Sequence, residues 1–152
     1  MSLTNTESPF VERRSRSRAI VDKMVAERQE MWVLYCKVAK LAPFSDEVPA
    51  RDLLASFCQV LVDYIASAHF GLYERIVQGT ERRKAVSDLA TELYPHISHS
   101  TDVALAFNDR YESSRDFDLD ESFSRDLSTL GEHLATRIEL EDQLIDAMLY
   151  RG

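Results

Sequence analysis

The chain offers a helix few places to stop. Its prolines fall only at Pro9, Pro43, Pro49 and Pro95, and its glycines only at Gly71, Gly79, Gly131 and Gly152. Proline removes a backbone donor and glycine frees the backbone, so these residues usually punctuate the elements of a fold. Here they leave long unbroken stretches, and none alternates apolar and polar residues as a half-buried strand must. The sequence therefore predicts an all-α protein, an up-and-down bundle of four to five main helices. The first helix is expected from Glu12 or Ser17 to Leu41, and the second from Arg51 or Asp52 to Gln78, with Gly79 past its end. A third is expected over Glu81 to Leu93, stopping before Pro95. A fourth is expected over Thr101 to Glu112, capped by Ser98 or Ser100. The polar stretch Ser113 to Asp120 leads to a last helix ending near Tyr150. Residues 1–152 read as one domain, with residues 1–11 flexible.

A domain of this length buries about 68–70% of the surface its unfolded chain exposes, so its core needs no disulfide or metal. Cys36 and Cys58 each fall within an apolar helical pattern and read as reduced core residues. The formal net charge is −8. A phosphate binder must supply cations to displace counterions, so this charge argues against direct contact with nucleic acid, and equally against an anionic membrane surface. A basic protein or peptide complements it better. The charge is uneven: residues 1–44 carry 8 Lys/Arg against 5 Asp/Glu, and the acidic excess lies entirely in the remainder. Arg13, Arg14, Arg16 and Arg18 form either an anion-binding arm or a solvated helix start. The first 18 residues hold no apolar segment of the signal-peptide kind, and the chain has no run of 18 apolar residues. A cytoplasmic protein with no bilayer span is expected.

The helical faces single out a few residues. In the last helix Phe123, Leu127, Leu130, Leu134, Ile138, Ile145 and Met148 share one side, with Glu141 in their midst. A lone carboxylate is costly to bury and needs a partner. The first helix carries an apolar face of Val21, Val25, Trp32, Tyr35, Cys36 and Ala39, with Arg28 on it. Arg28 or His69 is expected to meet Glu141 inside the bundle, unless Glu141 lies at an exposed bundle end. In the second helix Leu54, Cys58, Leu61, Ile65, Ala68 and Leu72 centre one face. The narrow opposite stripe holds Ser56, Gln59, Asp63, Ser67, Phe70 and Glu74. Phe70 is the large aromatic among these polar neighbours. Such a residue is either an anchor for a partner or is covered by a neighbouring helix.

Catalytic and metal motifs are missing. The four glycines are isolated, so there is no phosphate loop. The cysteines lack zinc spacing. The residues three before His69, His96, His99 and His133 are Ala66, Leu93, His96 and Leu130, so no Glu-x-x-His of a di-iron bundle occurs. His96-x-x-His99 has no third ligand in view, and no spacing marks a nucleophile elbow. The chain is therefore expected to bind a partner, with no cofactor, no metal and no catalysis.

The second helix also carries a resemblance. Phe57 to Ile76 reads FCQVLVDYIASAHFGLYERI and resembles the signature helix of the Rsd/AlgQ family of anti-sigma factors. Ile20-Val21-Asp22 with Glu27-Arg28-Gln29 and Tyr35 resembles the family's first helix, and Ile138 to Ile145, IELEDQLI, its last. The resemblance implies an all-helical protein that binds the C-terminal promoter-recognition domain of the primary sigma factor and keeps it from RNA polymerase. Arg28, Asp63, His69, Phe70, Glu74 and Glu141 fall on positions matching the family's motifs. Asp63, Phe70 and Glu74 are then expected to form the contact surface, supported from within by a buried polar cluster of Arg28, His69 and Glu141. Other readings are a signalling adaptor for a metabolic regulator or enzyme, and a small-ligand sensor built on an internal polar pocket.

Overall fold

The computed structural model describes residues 9–40, 48–74, 84–112 and 121–150. Four helices account for them: α1 (Pro9–Ala39), α2 (Val48–Ser67), α3 (Lys84–Tyr111) and α4 (Glu121–Tyr150). A π-helical turn, Ala68–Tyr73, continues directly from α2. The expected stop at Gly79, the polar stretch after Ser113 and the side chains of Arg13 and Arg14 lie outside the described residues. α1 starts at Pro9, earlier than expected, and α2 starts at Val48 with Pro49 beside it. Both prolines fall in a first turn, where the missing N–H has no helical acceptor to lose.

α1 packs on α2, α2 on α3, α3 on α4, and α4 back on α1. Contacts run in opposite directions along each neighbouring pair. Tyr35 meets Phe57 while Ile20 lies by Gly71, and Phe107 meets Phe123 while Ile97 lies by Arg137. The helices therefore go up and down in turn, as the sequence predicts. In one half of the bundle rings touch from helix to helix, Tyr35 to Phe57 to Phe107 to Phe123, with Tyr111 against the last two. Offset and edge-on aromatic pairs of this kind add to simple burial. The buried Tyr111 also donates its hydroxyl to Asp126 at 2.5 Å.

The expected third and fourth helices are one. α3 runs through Pro95, and neither Ser98 nor Ser100 caps a helix start. A proline in a helix interior costs one hydrogen bond and some bending. Here it is offset by a buried stripe that continues past it: Val86, Leu93, Ile97, Ala104, Phe107 and Tyr111 are all buried. Tyr94, Pro95 and His96 face solvent, so the ring of Pro95 disturbs no packing.

The buried line of α1 differs from the expected one. Val21, Met24, Met31 and Val38 are buried, Val25, Trp32 and Tyr35 are half-buried, and Cys36 and Ala39 are exposed. Cys36 is thus a surface thiol, contrary to expectation, because the helix turns the 24/31/38 line inward. Cys58 is a core residue, and burial pushes its thiol up to about 12. Ala50–Tyr73 is the one helix among the described residues long and apolar enough to cross a membrane. Leu54, Phe57, Cys58, Leu61, Tyr64, Ile65 and Ala68 of that segment are buried in the bundle core.

Gly131 makes room for the Tyr35 ring to come close to α4. Tyr35 donates its hydroxyl to the Leu127 carbonyl at 2.9 Å, and a Cβ on Gly131 would collide with that hydroxyl. Gly131→Ala is expected to lower stability by about 1–3 kcal/mol through overpacking, although alanine is the better helix former by about 1 kcal/mol. Thermal melts check this, and a raised Tm would refute the close approach.

Candidate functional site

The matched helix contributes an outer face and an inner one. On the outside, Phe70 is 66% exposed, and no neighbouring helix among the described residues covers it. Val33, Tyr94 and Leu105, the other exposed large hydrophobics described, are 41–44% exposed. Beside Phe70 a groove of about 490 Å³ separates α1 from α2. Val60, Asp63, Ala66 and Ser67 form its α2 wall, and Lys23, Glu27 and Glu30 its α1 wall. Three carboxylates against one lysine make the groove acidic. Asp63 is exposed and accepts a hydrogen bond from Gln59 at 3.1 Å. One carboxylate oxygen of Glu27 is shielded from solvent and has no hydrogen-bond partner. Sequence alone does not single out the α1 acids. They lie on a helix whose local charge is basic, and only packing brings them opposite Asp63.

On the inside, Glu141 is fully buried, as its position among apolar residues requires. Arg28 reaches it at 3.4 Å and also pairs with Asp142 at 2.9 Å. His69 does not. It is exposed, with its ring edge-on to Phe70 at 5.0 Å, so it belongs to the outer face and not to the buried cluster.

The main partner of Glu141 is Arg137, one turn earlier and only 1% exposed. Its Nε donates to Glu141 at 3.0 Å and to the Tyr64 hydroxyl at 3.2 Å. Its other donors reach Thr101 at 2.6 Å, Ser100 at 3.2 Å and the Ile97 carbonyl at 3.4 Å. Tyr64 donates to one Glu141 oxygen at 2.5 Å and Tyr73 to the other at 3.2 Å. All four helices and the π-turn thus converge on one arginine–carboxylate pair. The sequence does hold the signal for Arg137: Phe123, Leu127, Leu130, Leu134, Arg137, Glu141, Leu144 and Met148 alternate at four and three residues, and all are buried.

The two tyrosines explain the π-turn. They are nine residues apart, which on a regular α-helix would put them about 180° apart, on opposite faces. A π-turn takes up one extra residue and swings the succeeding residues back by about 100°. The Glu74 N–H accordingly bonds to the His69 carbonyl, five residues back. That swing brings Tyr73 round to Glu141. It also carries Glu74 off the line of Asp63, so Glu74 is half-buried and does not line the groove.

Burial opposes the charge on Arg137, yet Tyr64, Glu141 and Tyr73 around it push its pKa up, and it remains a cation. Burial, then the neighbouring Glu141, drive Tyr64 and Tyr73 well above the usual tyrosine range. The folded protein therefore holds these phenol protons to a higher pH than the unfolded chain, whose tyrosines ionise near 10. Their contribution to stability is complete below about pH 10 and falls as the pH rises beyond it. Urea midpoints at pH 8, 10 and 11 are expected to decline over the last interval, and a flat profile would contradict the buried hydroxyls. The polar groups of this cluster satisfy one another, and the two buried side-chain atoms described without a partner, on Glu27 and Asn108, lie elsewhere. A filled cluster of this kind counts against an internal ligand pocket. His99 and His133 lie ring to ring at 5.0 Å, but no group of three metal-ligating side chains occurs among the described residues.

The family model described as "Regulator of RNA polymerase sigma(70) subunit, Rsd/AlgQ" matches residues 3–149. The chain is 35% identical to the "Regulator of sigma D" of Yersinia enterocolitica, over 94% of this chain and 88% of that protein. It is 33% identical to the protein of the same name from an Enterobacter species, over 94% and 88%. No solved structure matches the chain. With nearly its whole length matched and its helices arranged as above, the chain belongs to the Rsd/AlgQ family of regulators of the RNA polymerase sigma(70) subunit.

Proposed function

We infer that this protein is an anti-sigma factor acting by stoichiometric binding and not by catalysis, and that its target is the C-terminal promoter-recognition domain of the primary sigma factor. The observation that carries this reading is the exposed Phe70 at the edge of an acidic groove on the helix that matches the family's signature. A DNA-reading surface is basic, and an acidic groove complements it. Phe70 enters an apolar recess of the partner, while Asp63, with Glu27 and Glu30 from α1, meets basic side chains. The unpartnered Glu27 oxygen gains a donor on binding. Glu74 flanks the contact, and His69 joins it beside Phe70. Arg28 and Glu141 hold the helices that present this face. The protein itself touches no DNA and no membrane, and it works in the cytoplasm, where RNA polymerase transcribes.

Calorimetric titration with the isolated sigma domain at two salt concentrations tests this. Saturable one-to-one binding that weakens as salt rises is expected, because exposed charge pairs are screened beyond about 8–10 Å at physiological ionic strength. Absence of binding between two folded proteins would refute it.

A further inference from the structure

Two tyrosines of the buried cluster and the exposed anchor lie on the same ten residues of chain, Tyr64 to Tyr73. Tyr64 and Tyr73 grip the two oxygens of one carboxylate, and Phe70 stands between them on the opposite side. A regular α-helix cannot satisfy both grips, since it would point the two tyrosines apart. Among the described residues 48–74, the π-turn that continues α2 is the one departure from α-geometry, and Phe70 is in it. π-turns of this sort are frequent at functional sites. The turn is also seated from outside. At Gly71 a Cβ would stand 2.8 Å from the Ile20 side chain of α1, so the glycine lets α1 close on the widened backbone.

We propose that Tyr73 is a positioning residue for partner binding: through its bond to Glu141 it holds the π-turn, and the π-turn sets the direction in which Phe70 is presented. Without the turn, Phe70 would continue the regular α2 helix directly above Asp63, seven residues and about −20° away. With it, the wider turn rotates the ring off that line, and its edge meets His69. Tyr73 itself is buried and never meets the partner. This proposal rests on the reading of Phe70 as the anchor.

Two variants test it. Tyr73→Phe keeps the ring in the core and removes only the hydroxyl. Deleting Gly71 removes one residue from the turn after Phe70, which leaves a regular helix with Phe70 directly above Asp63 and Tyr73 eight residues from Tyr64, still within reach of Glu141. Each is titrated with the sigma domain, and amide exchange at Glu74 reports whether the π-turn bond to His69 persists in Tyr73→Phe. For Tyr73→Phe the expectation is faster exchange at Glu74 and about tenfold weaker binding, the worth of one buried hydrogen bond. For the deletion the expectation is a retained fold and a greater loss of binding. Wild-type affinity in a folded deletion variant overturns the proposal. Unchanged affinity in Tyr73→Phe does so too, whatever the exchange rate, and that variant decides alone if the deletion does not fold. If the wild type fails to bind sigma, the anti-sigma reading falls. Exchange at Glu74 then still decides the hold of Tyr73 on the turn, and unchanged exchange refutes it.

Discussion

Arg137→Met is expected to destabilise the protein by about 3–5 kcal/mol, a large fraction of what a domain of this size possesses. The methionine fills much of the same volume, so the loss comes from charge rather than from a cavity. Glu141 is 0% exposed, and Arg28, its remaining cation, is 3.4 Å away and already engaged with Asp142. Removing one member of a buried pair leaves the other ion uncompensated, which is far worse than removing both. The double variant Arg137→Met, Glu141→Leu is accordingly expected to recover part of the loss, though not all, because the hydroxyls of Tyr64 and Tyr73 would then lack an acceptor. Urea denaturation of the three proteins measures both effects. A single-variant loss under about 1 kcal/mol would mean that Arg137 does not sustain Glu141.

Phe70→Ala is expected to do the reverse: leave the fold intact and remove the partner. With the ring 66% exposed, truncation takes little from the core, and surface changes of this kind usually stay within about 0.5 kcal/mol of stability. An aromatic anchor at the centre of an interface costs about 2 kcal/mol or more when truncated, roughly a thirtyfold rise in Kd. Equal Tm values together with the raised Kd would identify Phe70 as an interface residue. Unchanged affinity in the folded variant would remove it from the contact surface.

Much of the fold and part of the site are legible in the sequence. Scarce glycine and proline imply long helices, and the apolar line of α4 marks Glu141 as a buried carboxylate in need of a cation from α1. Phe70 stands out because its neighbours on the helix surface are polar. The features that sequence does not reveal are hidden for definite reasons. Pro95 reads as a boundary because a proline usually breaks a helix, but the stripe through Leu93, Ile97 and Ala104 continues past it. Arg137 escapes notice because arginine suggests a surface, yet it lies on the same four-and-three spacing as the leucines around it. His69 lies only at the flank of the apolar face, where wheel geometry does not settle its exposure, and Glu74 aligns with Asp63 only if the helix is regular. The π-turn breaks that assumption, and nothing in Ala68–Tyr73 taken alone announces it. It arises from a tertiary demand, two tyrosines on one carboxylate, that only the assembled bundle makes.

The same demand governs how the chain reaches its native state. A hairpin of α3 and α4 brings Arg137 to Ile97, Ser100 and Thr101 but leaves Glu141 without its tyrosines, and a hairpin of α1 and α2 holds Arg28, Tyr64 and Tyr73 with no carboxylate to bind. Neither half can close dry on its own polar groups. Half-assembled forms are therefore expected to be sparsely populated, and the bundle to fold and unfold as a single cooperative unit.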